Sequence, residues 1–275
     1  MVENTGSDHA ISRLSADRWL VRAMDTVFSI VVPALDADDT VRGIASDWSM
    51  IEQKLSVFLP DSEISSWRRG EILDDQLSVE VTEVIAACDW LEAKTDGLFS
   101  PHQAGGYDPT GYVKGWALSR AAARLDQVGI ASYCVNGGGD IIARGTGSHG
   151  VPWRVGIAHP NRAGELATVV TAIPGDGSAL AVATSGTSER GQHVVNPING
   201  WRPARSSVTV VGHDIALVDA IATAALAAGS GASAELVGRF GCEALGFDEA
   251  GFPWWTPGMA DYALLPHVGV PQSKT

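Results

Sequence analysis

Cysteine is scarce in this chain. Cys88, Cys134 and Cys242 stand far apart, odd in number and without a CxxC spacing, which argues against a disulfide framework or a zinc knuckle and for buried free thiols. Basic residues are scarce too, 19 Lys and Arg against 32 Asp and Glu, for a net charge of −13. That balance argues against nucleic acid or an anionic membrane as a partner. A small anionic ligand stays possible, because a few backbone N–H donors and one cation override the global field at close range. No apolar run is long enough to span a bilayer. The opening residues, MVENTGSDHAISRLSADRW, hold neither the apolar core of a secretory signal nor a cysteine for a lipid anchor. With Met1 as the true start, a cytoplasmic location is expected. Fixed-period repeats and low-complexity linkers are also missing.

What is present fits one large domain or two intimately packed halves: 275 residues, 45% hydrophobic. Residues 1 to about 15 read as a disordered lead. Trp19 to Val32 reads as a strand with a turn or bulge near Met24-Asp25-Thr26. Val41, Ile44, Ala45, Trp48, Ile51 and Leu55 have helical spacing behind an acidic start at Asp36, Asp38 and Asp39. Pro60 is the expected stop, and Asp61-Ser62 with Glu63 the expected cap of the next turn. A second helix is predicted over Val79 to Lys94. Strands are predicted at 133–135, 153–157, 167–173, 179–186, 208–211, 244–247 and 254–255, with a strand edge and turn over 192–200. Helices are predicted at 215–228, made of small residues, and 234–239. Strands and helices alternate without a strict βαβ repeat, so the fold class is α+β with mixed or antiparallel sheets.

The chain is organised around Asp96 to Gly145. Asp108-Pro109-Thr110-Gly111-Tyr112-Val113-Lys114-Gly115 sets a carboxylate and an ammonium on either side of a glycine, and helical spacing follows at once. N–H groups at a helix start with Lys114 beside them suit a phosphate; an ordinary structural turn has the same composition. Asn136-Gly137-Gly138-Gly139-Asp140 after a strand implies close backbone approach, or a tight turn. Asp219 and Thr223, at i and i+4, offer two hard oxygen ligands suited to magnesium. The plainer reading has Thr223 bonding back to its helix while Asp219 meets a basic partner. His193 beside a turn suits a general base or an ordinary polar contact.

Taken in order, these pieces resemble the FAD:protein FMN transferase (ApbE-like flavin transferase) family. The matching segments are Met24-Asp25-Thr26, Leu55 to Phe58 with Asp61 to Ser65, Asp96 to Phe99, Asp108 to Ala117, Asn136 to Ile141, Trp153 to Ile157, Ala183 to Gly186, His193 to Pro197 with Gly200, and Asp219 to Ala224. The resemblance implies an ApbE-like fold of two packed α/β halves with a ligand cleft between them, one domain over residues 16–275. It implies magnesium-dependent transfer of FMN from FAD to a threonine hydroxyl of a target flavoprotein, with release of AMP. FAD hydrolysis to FMN and AMP, or FAD binding without turnover, are the alternatives.

By the same resemblance Met24, Phe58, Asp108, Lys114 and Val194 match FAD-contacting positions. Gly111 matches the residue giving Mg2+ a backbone carbonyl, Asp219 and Thr223 match its side-chain ligands, and His193 matches the proposed general base. Three positions depart from the family pattern. Asp25 replaces the glycine of Met-Gly-Thr, Asn196 stands where His-x-x-Asp-Pro has aspartate, and the turn after Gly186 lacks the usual tyrosine.

Overall fold

The computed structural model describes residues 11–33, 36–103, 105–173, 177–187, 194–204 and 206–264. Its frame is a nine-stranded sheet in the order β1-β2-β3-β6-β7-β10-β11-β12-β13. The first three strands, β1 (Ile11–Ser15), β2 (Arg18–Ala23) and β3 (Thr26–Val31), form a meander. Trp19, Val21 and Ala23 alternate inward on β2, and Phe28 and Ile30 on β3, the period that one buried face imposes. The β2–β3 turn is Met24-Asp25, both at φ 53, a left-handed pair such as tight hairpins require. Glycine adopts that conformation freely and aspartate tolerates it, so Asp25 can stand in glycine's place. β1 lies inside the expected disordered lead; residues 1–10 are outside the described residues.

Helix α1 (Asp38–Leu55) buries Val41, Ile44, Ala45, Trp48, Ile51 and Leu55, the predicted face. It ends at Leu55, where Ser56 turns extended, and not at Pro60. Ser62 caps α2 (Glu63–Arg68) by accepting from Ser65 N–H at 3.1 Å. Helix α3 (Val79–Lys94) has the predicted bounds and buries Val81, Val84, Cys88 and Leu91. A short ribbon, β4 (His102–Gln103) with β5 (Gly106–Tyr107), leads into α4 (Thr110–Gln127).

β6 (Tyr133–Gly137) and β7 (Asp140–Arg144) close around Gly138-Gly139, at φ 61 and 96. Both sequence readings of the glycine run hold. Gly138-Gly139 is the tight turn, and a Cβ at Gly137 would collide with the Phe28 ring.

β7 pairs with β10 (Leu180–Gly186), which pairs with β11 (Ser207–Gly212), then β12 (Glu243–Phe247) and β13 (Pro253–Trp255). These pairings are antiparallel, and they join the two expected halves in one continuous sheet. Helix α5 (Ile215–Ala228) has the predicted bounds, and α6 (Ser230–Arg239) begins four residues earlier than expected. Residues 194–200 form a turn and no strand.

The middle strands are covered on both faces. Ala181, Ala183, Val208, Val210 and Ala244 join the helical core with α1, α4 and α5. Leu180, Val182, Val211 and Leu245 point the other way, into a second cluster with Val155, Ile157, Val170 and Met259. That second cover is a ribbon of β8 (Arg154–Ala158) and β9 (Leu166–Thr171). Trp254 packs on the first cluster and Trp255 on the second, core roles as expected. Among the described residues no helix is long and apolar enough to cross a membrane.

Candidate functional site

A cleft of about 790 Å³ opens between α4, α5, the β6–β7 turn, β10 and the β8 end of the ribbon. Its floor is built from helix ends and strands. Helix α4 starts without a side-chain cap and without an acidic residue in its first turn. Asp108 Oδ1 accepts the Thr110 N–H at 3.0 Å. Thr110, Gly111 and Lys114 line the cleft, so the positive end of the α4 dipole faces it. A Cβ at Gly111 would come 3.2 Å from the Phe99 ring.

The floor's charges form one cluster. Lys114 Nζ lies in direct ion-pair contact with Asp140 and 3.1 Å from Asp219 Oδ1. Asp140 is 2% exposed and Asp219 6%, so two buried carboxylates share one ammonium. Backbone donors complete them: Thr184 N–H reaches Asp140 Oδ1 at 3.1 Å, and Gly115 N–H reaches Asp219 Oδ2 at 3.0 Å. The second bond depends on Gly115 having no side chain. A Cβ there would meet Ile215 O at 2.7 Å and Asp219 Cβ at 2.8 Å. The Gly115 N–H is the donor a regular helix gives to the Gly111 carbonyl, and here it donates to Asp219.

Thr223 Oγ1 does not simply bond back into α5. It lies 3.2 Å from Ser185 Oγ on β10. Asp219 does meet a basic partner, as the plainer reading expects. Among the described residues no three His, Cys, Asp or Glu side chains converge as a metal cluster. Magnesium is ordinarily held by one or two carboxylates plus water and phosphate oxygens. Asp219, Asp140, Thr223 and Gly111 all line this cleft. Their two carboxylates outnumber the single ammonium, and this hard-oxygen donor set fits Mg2+.

The rim is different in kind. Phe58 is 76% exposed at the mouth, and Val194, buried, lines the wall with Val195 and Pro197. His159 at the end of β8 also lines it, its ring tilted on Phe247 with centroids 4.8 Å apart. Its Nδ1 accepts the Asn161 N–H at 3.2 Å. Burial, and then the Arg162 charge, hold its pKa below the usual histidine range. Asn196 fastens the 194–201 turn: Oδ1 accepts from Ile198 and Asn199 N–H at 2.9 and 3.2 Å, and Nδ2 donates to Ala227 O at 3.0 Å.

Of the predicted site residues, Phe58, Asp108, Gly111, Lys114, Val194, Asp219 and Thr223 line the one cleft. Met24 does not line it. Met24 sits in the β2–β3 turn at the end of the sheet where β3 meets Gly137 of β6, half-buried against the core. His193 lies outside the described residues. Asp140, Thr184, Ser185 and His159 are cleft residues that the sequence reading did not single out as site residues. Asp140 carried a signal in its place directly after the glycine run, and Thr184 and Ser185 in the family-like segment Ala183 to Gly186; His159 carried none.

A model of the ApbE family matches residues 103–245, more than half of the chain and nearly all of the cleft floor. The chain belongs to the ApbE family. It is 33% identical over 128 residues to the FAD:protein FMN transferase of Vibrio cholerae, covering 42% of this chain and 37% of that protein. To the FAD:protein FMN transferase of Escherichia coli K12 it is 32% identical over 139 residues, 46% of this chain and 38% of that one. The aligned region thus spans well under half the length of these curated relatives. Among solved structures, the flavin transferase ApbE of Vibrio cholerae superposes with a TM-score of 0.73 at 19% identity, over 89% of this chain and 98% of its own. The flavinyl transferase ApbE of Pseudomonas stutzeri gives 0.73 at 19% identity, over 91% and 99%. At such identity the structural likeness speaks for the ApbE fold. Met24 and Phe58 precede the ApbE-matched segment, whereas Asp108 through Thr223 lie within it.

Proposed function

We propose that this chain is an FAD:protein FMN transferase, moving FMN from FAD to a threonine hydroxyl of a target flavoprotein and releasing AMP. The observation that carries the reading is the joining of Lys114, Asp140 and Asp219 on the cleft floor beside the start of α4. A cleft of about 790 Å³ is of the size that binds a cofactor-sized ligand, and its floor offers what a pyrophosphate needs.

Phosphoryl transfer asks for alignment and charge neutralisation more than for covalent chemistry from the protein. The Gly111 N–H at the start of α4 and the Lys114 ammonium receive the pyrophosphate. Asp140 fixes that ammonium and keeps it from turning away from the cleft. Asp219, Thr223 and the Gly111 carbonyl are the groups that would hold Mg2+, which when bound polarises the phosphates and stabilises charge on the leaving AMP. Phe58 and Val194 offer apolar surface to the flavin end. His193 takes the proton of the acceptor threonine. The threonine oxygen then bonds to the FMN-side phosphorus as the bond from that phosphorus to the bridging oxygen breaks, and AMP leaves with that oxygen.

The test is incubation with FAD and Mg2+, with and without an acceptor protein carrying a threonine, followed by chromatography of the nucleotides. Flavin attached to the acceptor with matched AMP is the expected result. Free FMN and AMP with no attachment replaces the transferase with a pyrophosphatase, since the nucleophile belongs to the acceptor and water can take its place. FAD that stays intact but co-elutes with the chain leaves a binding protein. His193→Ala should keep FAD binding and lose turnover.

A further inference from the structure

Strand β10 leaves the core at its end. Leu180 to Ala183 are buried, whereas Thr184, Ser185 and Gly186 are not, and these three line the cleft. Successive side chains of a strand point to opposite faces of the sheet. Ala181 and Ala183 belong to the helical core with α5, so Ser185 falls on the α5 side. There its Oγ lies 3.2 Å from Thr223 Oγ1. Thr184 takes the other face, its Oγ1 2.8 Å from Thr209 Oγ1, and gives its backbone N–H to Asp140. Two adjacent residues thus serve the two sides of the floor: one steadies the carboxylate beside Lys114, the other meets the hydroxyl of Thr223.

The second contact has a direction to settle. A hydroxyl carries one proton and two lone pairs. Inside a helix, a threonine commonly gives that proton to the carbonyl one turn back, which for Thr223 is that of Asp219. Among the described residues Thr223 Oγ1 has Ser185 Oγ as its hydrogen-bond partner instead. A threonine that ligates Mg2+ gives the ion a lone pair, and the ion's charge makes its remaining proton more acidic. That proton then needs an acceptor, and a serine oxygen is one.

We propose that Ser185 is a positioning residue for the metal, accepting the Thr223 proton and so leaving a Thr223 lone pair turned to the ion. The proposal rests on the reading of Asp219, Thr223 and the Gly111 carbonyl as the groups that would hold Mg2+. Partners behind a metal's own ligands fix the orientation of those ligands, and losing one typically costs about 10–100-fold in affinity. At 3.2 Å the contact is long for two neutral hydroxyls, so the lower end, about tenfold, is expected.

The test reads metal affinity and not turnover. The full chain carrying His193→Ala, saturated with FAD, is titrated with MgCl2, and the rise of its unfolding temperature with concentration gives the dissociation constant. Ser185→Ala in that background should raise the constant about tenfold. A purely structural loss moves the starting temperature and leaves the concentration dependence as it was. Thr223→Val removes the hydroxyl that Ser185 serves, and there Ser185→Ala should weaken Mg2+ no further. An unchanged constant in Ser185→Ala, or an equal loss with and without the Thr223 hydroxyl, overturns the role and leaves the metal reading standing. So does a loss of FAD affinity in metal-free buffer, which makes Ser185 a direct nucleotide contact. A chain that shows no Mg2+-dependent rise at all ends both the metal reading and this one. Weaker Mg2+ binding in Ser185→Ala, beside a parent that never transfers flavin, keeps the role and refutes the transferase.

Discussion

The two sides of the cleft are built on opposite principles. The floor is made of helix ends and strands, its carboxylates Asp140 and Asp219 buried and each given a backbone donor. The rim is made of turns and exposed side chains: Phe58 at the mouth, His159 at a ribbon end, the 194–201 turn. A charge held at 2% or 6% exposure stays ionised only where its partners are fixed, and regular structure supplies such fixity. On the transferase reading the acceptor is itself a protein and has to reach the site from outside, and loops can take the shape that this demands. The floor should therefore answer to substitution through stability and chemistry together, and the rim through binding alone.

The sharpest break of that contrast is Lys114→Met. It leaves Asp140 and Asp219 buried with no cation, and losing one partner of such a cluster typically costs about 3–5 kcal/mol. Urea unfolding at pH 7 measures it. Adding Asp140→Asn to Lys114→Met should recover part of the loss, because one uncompensated charge is gone. If Lys114→Met unfolds at the wild-type midpoint, the floor is not held by its charges and the contrast fails.

Gly115→Ala tests the same floor by sterics. Its Cβ would stand 2.7 Å from Ile215 O and 2.8 Å from Asp219 Cβ, so α4 and α5 must part, at a cost of about 1–3 kcal/mol. Gly238→Ala is the control: α6 leaves open space there, and the exchange should stabilise by about 0.5–1 kcal/mol. Equal effects in the two helices would remove the special closeness of α4 and α5. Both are read from denaturant midpoints.

Much of this was legible in the sequence. Helices α3 and α5 have the bounds that an unbroken apolar spacing predicts, because their faces are buried along their whole length. Gly111, Lys114, Asp219 and Thr223 were picked out by local pattern and by resemblance, and all line the cleft. The Lys114–Asp140 contact was not legible. It joins α4 to the β6–β7 turn, and nothing in local spacing says which carboxylate a lysine will meet. The pairing of β7 with β10 skips the β8–β9 ribbon, and a register formed across such an insertion leaves no periodic trace. His159 had no signal because its surroundings come from Phe247, far along the chain.

Asn196→Asp probes the junction of floor and rim. The Nδ2 that donates to Ala227 O at 3.0 Å would become an oxygen facing an oxygen. The introduced carboxyl would be held protonated in the folded state, its pKa raised above the unfolded value of about 4. Its stability is then present below about pH 4 and lost as pH rises through the folded pKa. The deficit against the parent should be small in acid and about 1–3 kcal/mol at pH 7. Thermal unfolding across that range measures it. A pH-independent deficit would mean that the amide's donor is not what fastens the turn.

The smallest effect on stability belongs to Phe58→Ala. The side chain is 76% exposed, so its removal should move the unfolding midpoint by no more than about 0.5 kcal/mol. On the transferase reading the ring offers its face to the flavin, and aromatic contact of that kind is worth about 1 kcal/mol. The FAD dissociation constant, followed by flavin fluorescence, should therefore rise several-fold while the chain stays as stable as before. Lys114→Met shows the opposite signature, a large loss of stability. Should Phe58→Ala lower stability as well, the mouth is part of the fold's support and the division between a structural floor and a binding rim does not hold. Should it change neither quantity, the exposed ring serves something other than the flavin.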